Sequence, residues 1–148
     1  LEKSDRVRIL SKLDEMIKYV EELQSMLPDQ VEYEHDLIKR RACEKTIEVA
    51  IDSLVDVLAM IVSAQQFGLP DNEENIFDML IEKKVLNSKF GEKLKDMKGF
   101  RNILIHRYGH VDDEIVYHNL TSHINDFYEF ENDIKLYLKN EKINQNYD

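Results

Sequence analysis

The side chains in this chain best suited to chemistry sit in one run, Arg101-Asn102-Ile103-Leu104-Ile105-His106-Arg107-Tyr108. Histidine is the side chain that takes and returns a proton near pH 7. Asn102 stands four residues before His106, so on a helix the two are neighbours, and the amide can hydrogen-bond one ring nitrogen and fix its tautomer. At about 100° per residue, Leu94, Met97, Phe100, Ile103, Leu104, Ile105 and Tyr108 form a wide apolar sector, and Arg101 falls inside it. A guanidinium placed there must be paired, or must face a groove where an anion arrives. His106 lies about 140° around the helix from Arg101. The two act together only if the arginine side chain bends inward, the helix tightens near its end, or two chains pair. By residue type alone, a core histidine and an arginine–carboxylate pair locking two helices is the plainer reading.

The elements that position this run read as helices. Gly and Pro number four and two, too few for the tight turns of a sheet protein of this length. Ser4 is an expected N-cap, followed by Leu10, Leu13, Ile17, Val20, Leu23 and Leu27 at helical spacing up to Pro28. A long second helix is predicted from about Tyr33 to Gln66. Its core stripe is Cys43, Ile47, Ala50, Ile51, Leu54, Val57, Leu58 and Ile61, and its other side carries Arg41, Glu44, Lys45, Glu48, Asp52 and Asp56. A short helix from Asn72 to Lys84 follows, then one from about Ser88 to Arg107. The last is capped by Asp112 or Asp113, with Ile115, Val116, Leu120, Ile124, Phe127, Phe130, Ile134, Leu136 and Leu138 as its apolar positions. Five helices with short connections predict an all-α antiparallel bundle. One domain spanning residues 1–148 is expected, with 140–148 frayed.

Composition narrows the function classes. The 148 residues carry a net charge of −10, which argues against indiscriminate nucleic-acid binding. The charge is uneven: residues 83–107 hold eight Lys or Arg against Glu92 and Asp96, a local +6 on a body of −16. Such a strip is either a solvated lysine-rich face or a place where a polyanion is selected. The single cysteine, Cys43, allows no disulfide within the chain and reads as a buried small hydrophobe. The apolar run from Val49 to Met60 is broken by Asp52, Ser53 and Asp56, so no membrane span is expected. No leader pattern is seen, and a cytoplasmic location is expected.

The segment Phe100-Arg101-Asn102-Ile103-Leu104-Ile105-His106-Arg107-Tyr108, then Val111-Asp112 and a long final helix, resembles the HEPN superfamily (higher eukaryotes and prokaryotes nucleotide-binding). The likeness is to its HepT toxin family, whose members are encoded with a minimal nucleotidyltransferase antitoxin. The second helix shares it through Arg40-Arg41-Ala42-Cys43-Glu44 and Glu48-Val49-Ala50-Ile51-Asp52-Ser53-Leu54-Val55-Asp56. It extends from about Arg6 to Leu138. Arg-x4-His alone is a weak signal; with Asn102, Tyr108 and the helical frame it is specific.

The resemblance implies the toxin of a toxin–antitoxin pair, a metal-independent endoribonuclease with a HEPN-like fold and no cofactor. RNA carries its own nucleophile, the 2′-hydroxyl, so the protein must supply proton transfer and a cation. Carried over, His106 transfers the proton, Arg101 stabilises the phosphate in transfer, and Asn102 orients the site. Lys95, Lys98 and Arg107 on the basic strip are the expected RNA contacts. A homodimer would place two such segments in one cleft, which answers the 140° separation. Tyr108 is the expected site at which the partner nucleotidyltransferase attaches AMP; a bulky anion there would block RNA. Without that role, Tyr108 is a packing aromatic.

Other residues offer less. His35, His110, His118 and His123 show no metal-ligand spacing. Glu44, Glu48, Asp52 and Asp56 march along one helix face, and one of them, Glu44 foremost, is expected to bridge Arg101 or Arg41 as a supporting residue. No phosphate-binding glycine loop, Ser-His-Asp order or cysteine nucleophile pattern is present. The rival reading is a non-catalytic helical module that binds a nucleotidyltransferase or a nucleotide, since a binding cleft would use Arg101 and His106 equally.

Overall fold

The computed structural model describes residues 1–106 and 112–145, with side chains as far as Glu141. Among them are six helices and no strand: α1 (Lys3–Met26), α2 (Gln30–His35), α3 (Leu37–Ala64), α4 (Glu73–Glu82), α5 (Ser88–Ile105) and α6 (Asp113–Gln145).

The core stripe read from the sequence of the second long helix is the one that packs: Cys43, Ile47, Ala50, Ile51, Leu54, Val57, Leu58 and Ile61 are all buried. The expected single helix from Tyr33 to Gln66 is, however, two. Asp36 stops α2 by donating its backbone N–H to Glu32, and its side chain caps α3 by accepting from the Lys39 N–H at 3.0 Å. Asp29, just after Pro28, caps α2 in the same way through the Glu32 N–H at 2.9 Å. A short aspartate side chain competes with the backbone for hydrogen bonds, so it serves a helix start better than a helix interior. Arg40 fixes the junction by donating to the Glu34 carbonyl at 2.6 Å and lying 3.6 Å from Asp113 at the start of α6.

α1 and α3 run antiparallel, Lys12 of α1 standing 3.7 Å from Asp56 of α3. The ends of α1 and α6 meet where Arg6 donates to the Leu138 carbonyl at 2.7 Å. α5 and α6 are antiparallel too: Phe90 stacks on Phe130 at 5.9 Å between centroids, and Phe100 meets His123 at 5.6 Å. The four long helices α1, α3, α5 and α6 make up the bundle, and α4 bridges α3 and α5.

Smaller differences have local causes. α1 starts at Lys3 with Glu2 before it and no side-chain cap, so Ser4 lies inside the first turn. Asn87 caps α5, accepting from the Phe90 N–H at 2.7 Å, and Asn72 caps α4 through the Asn75 N–H at 2.8 Å. α6 continues to Gln145, through part of the segment expected to fray. Ile115 and Leu136, expected on its apolar face, are more than half exposed.

Candidate functional site

α5 carries the candidate residues on two unlike environments. Leu94, Met97 and Phe100 bury one face, and Arg101 goes in with them at 6% exposure. Its guanidinium donates to Asp52 on α3 at 3.1 Å and to Glu73 in the first turn of α4. Burial works against the charge, but the Glu73 and Asp52 carboxylates outweigh it and raise the arginine's pKa above its ordinary value. The Asp52 and Glu73 side chains are 50% and 32% exposed. The cation is therefore buried while its counter-ions reach water. The arginine Nε has no hydrogen-bond partner among the described residues.

Glu44, expected to bridge Arg101 or Arg41, takes Arg41, and Arg101 takes Asp52, two turns further along the same face. Glu44 is buried and takes Arg41 at 3.0 Å and the Tyr33 hydroxyl at 3.4 Å. Burial, with Glu44 beside it, pushes the Tyr33 phenol well up. Glu73 was not foreseen. Its signal was indirect: a guanidinium in an apolar sector demands more than one carboxylate, and Glu73 follows the helix cap Asn72 at the neighbouring helix start.

His106 is the C-cap of α5, exposed, with its backbone N–H donated to the Asn102 carbonyl at 2.9 Å. Asn102 is half-buried. The structure thus joins Arg101 to Asp52 and Glu73 and leaves His106 on the surface one and a half turns on. Arg101 does not face an open cleft within one chain. Arg107 and Tyr108 lie outside the described residues. Lys95 and Lys98 project from α5 toward α4, 3.5 Å from Asp78 and 3.6 Å from Glu74. These acids are about 60% exposed, so the pairs are surface bridges of small worth that a phosphate can replace. Among the described residues, no group of three or more His, Cys, Asp or Glu is placed to hold a metal ion. Among the described residues, no helix is long and apolar enough to cross a membrane.

Residues 16–134 match the family model described as Ribonuclease HepT-like. The chain belongs to the HepT-like ribonuclease family. Its activity class is accordingly that of an endoribonuclease. A relative in Shewanella oneidensis, named mRNA nuclease HepT, is 24% identical over 127 residues, covering 86% of this chain and 96% of the relative. A candidate RNase of Archaeoglobus fulgidus is 32% identical over 102 residues, 69% of this chain and 74% of that protein. Among solved structures, the tri-AMPylated Shewanella oneidensis HEPN toxin, in complex with its MNT antitoxin, superposes with a TM-score of 0.80 at 24% identity, over 86% of this chain and 96% of that one. The cytosolic protein YutE of Bacillus subtilis, of unknown function, superposes with a TM-score of 0.77 at 23% identity, over 93% and 92%. These two likenesses show the fold, which among the described residues is six helices, with Arg101 on the fifth and His106 capping it.

Proposed function

We propose that this chain is the toxin of a toxin–antitoxin pair and cleaves RNA without a metal ion, through attack of the 2′-hydroxyl on the adjacent phosphate. The observation that carries the reading is an exposed imidazole, His106, five residues after a guanidinium held charged by two carboxylates, in a chain of the HepT-like ribonuclease family. In the reaction the 2′-oxygen bonds to phosphorus, the bond from phosphorus to the 5′-oxygen breaks, and a 2′,3′-cyclic phosphate and a 5′-hydroxyl result. His106 accepts the 2′-hydroxyl proton and returns one to the leaving 5′-oxygen. Arg101 has five N–H groups; Asp52 and Glu73 orient the plane, and the remaining donors serve the phosphorane charge. Asn102 orients His106, and Lys95, Lys98 and Arg107 hold flanking phosphates.

A homodimer supplies the geometry that one chain lacks, one chain's Arg101 serving a site shared with the other's His106. Ile103 and Ile105, at the end of α5, are 51% and 48% exposed, and Ile115 at the start of α6 is 57% exposed; this apolar rim around the segment supports a self-complementary interface. The partner is a minimal nucleotidyltransferase that silences the nuclease by attaching AMP to Tyr108. The AMPylated, antitoxin-bound state of the Shewanella protein supports this. A cytoplasmic location follows from such partners.

The test is purified protein and a mixed-sequence RNA in EDTA, with product ends mapped and mass measured by light scattering. Products ending in 2′,3′-cyclic phosphate and a mass of two chains are expected. Intact RNA would leave the chain a binding module, and a strict monomer at micromolar concentration would remove the shared cleft.

A further inference from the structure

The face of α5 that bears His106 does not end at the histidine. Below it, α5 and α6 enclose an open groove of about 540 Å³, within the range of roughly 300–1,000 Å³ of small-molecule sites. Its wall is apolar where Phe100 and Ile103 line it, and Gly99 lowers its floor: a Cβ at this position would meet no atom within 4 Å. Ile103 precedes His106 by one turn, about 4.5 Å along the axis.

The polar groups of the groove are mostly acceptors. Asn119 spends one amide N–H on the Ile115 carbonyl at 3.0 Å, which leaves its side-chain oxygen and one N–H. Ser122 spends its hydroxyl hydrogen on the Asn119 carbonyl at 3.0 Å, which leaves oxygen lone pairs. Asp96 and Asp126 add carboxylates, with Lys95 drawn toward Asp78 and Lys93 standing 3.6 Å from Asp126. His123 also lines the groove though only 7% exposed, and its Nδ1 lies 3.1 Å from the Asp126 carboxylate. A carboxylate only accepts, so Nδ1 carries the hydrogen and a neutral ring keeps a lone pair on Nε2. That Nε2 is buried without a partner among the described residues. Buried polar atoms are nearly always satisfied, and the exceptions call for a local explanation.

We propose that this groove is a nucleobase site, which seats a base of single-stranded RNA beside His106 and takes bases bearing an exocyclic amino group. The proposal rests on the ribonuclease reading for its substrate. An acceptor-rich groove asks for N–H donors, which adenine, cytosine and guanine present and uracil lacks on an amino group. Its position on the His106 face places the attached ribose toward the imidazole. It also gives an acidic protein a way to hold RNA that does not depend on bulk charge, since apolar contact and base-edge hydrogen bonds are the usual terms of single-strand recognition.

The experiment titrates isotope-labelled protein with AMP, CMP, GMP, UMP and ribose 5-phosphate, following the Gly99, Ile103 and His123 signals. The first three nucleotides should move them at millimolar concentration, and UMP and ribose 5-phosphate should not. Gly99→Leu should abolish the shifts while keeping the fold, because leucine enters open space and favours helix. On a random-sequence RNA, wild type should cut with uridine depleted at one fixed position, and Gly99→Leu should lose that bias and raise KM by fivefold or more. Equal shifts with UMP or ribose 5-phosphate, shifts retained in Gly99→Leu, or shifts only with an arginine-rich peptide would each overturn the proposal. If no RNA is cut, the ribonuclease reading fails, and the nucleotide titration still decides the groove.

Discussion

Arg101 of α5 reaches across the bundle to Asp52 of α3 at 3.1 Å, with Glu73 of α4 on its other nitrogen. One side chain thereby ties three helices, and the candidate phosphate ligand is also a structural strut. Its removal must show in stability. Arg101→Ala leaves a hole and two carboxylates without their cation; because both acids reach water, the expected loss is about 1–3 kcal/mol, below the 3–5 kcal/mol of a fully buried pair. Arg101→Met keeps the packing and removes only the charge, so it should lose less than the alanine variant while being equally inactive. Urea melts of both read this. An alanine variant as stable as wild type would mean that the guanidinium is not held as described.

Two glycines on α5 make an internal contrast. A Cβ at Gly91 would collide with Ile81 Cδ1 and stand 3.2 Å from its Cγ1, whereas one at Gly99 meets nothing within 4 Å. Alanine is better than glycine in a helix interior by about 1 kcal/mol. Gly99→Ala should therefore stabilise by roughly 0.5–1 kcal/mol. Gly91→Ala should destabilise, since the Ile81 side chain must leave its packed position to relieve the collision. Thermal melts of the two variants should move in opposite directions.

Asp133 offers a pH test. Burial, helped by Glu129 and opposed by Lys93, raises its carboxyl pKa above 3.8. The native state therefore holds this proton more tightly than the unfolded state. Its contribution to stability falls as pH rises from about the unfolded pKa through the raised native one, then stays constant. Asp133→Asn should raise the melting temperature at pH 7 and leave a smaller gain at pH 4. An equal gain at both values would mean that the charge is not the cause.

The α3 core was legible because a buried stripe repeats at 3.6 residues, and Cys43, Ile47, Leu54 and Ile61 obey it. The break at Asp36 was not, because one capping aspartate within a helical pattern looks like a surface residue until its partner N–H is known. Likewise, the misfit of Arg101 in its sector announced an ion pair, but choosing Asp52 over Glu44 needs the relative slide of α3 and α5, which no local pattern encodes. His123 was passed over for lack of metal spacing; its pairing with Asp126, three residues on, was visible, but its burial against Phe100 depends on how α5 and α6 cross.

Tyr108 should acquire AMP when the chain meets a cognate nucleotidyltransferase and ATP. The motivation is its place two residues beyond His106, where an added anion would obstruct a polyanionic substrate. Intact-mass measurement should show AMP-sized additions that vanish in Tyr108→Phe. Additions that persist would move the site elsewhere, with Tyr117 the next tyrosine on the chain.

His106 separates chemistry from structure in a way that Arg101 cannot. It caps α5 as an exposed residue, so His106→Ala should cost less stability than Arg101→Ala, about 1 kcal/mol or under. Its loss of RNA cleavage should still be roughly 10²- to 10⁴-fold, the usual worth of general acid–base catalysis. Arg101→Lys should recover little activity, because an ammonium cannot span Asp52 and Glu73 and still offer a planar pair of donors to phosphate. Both variants should bind a non-cleavable 2′-deoxy analogue at the affinity order of wild type > His106→Ala > Arg101→Lys if the arginine contacts phosphate and the histidine acts chiefly in proton transfer. Cleavage should persist in EDTA throughout. Full activity in His106→Ala would sink the mechanism, and activity lost to EDTA would assign the proton transfer to a metal-bound water instead.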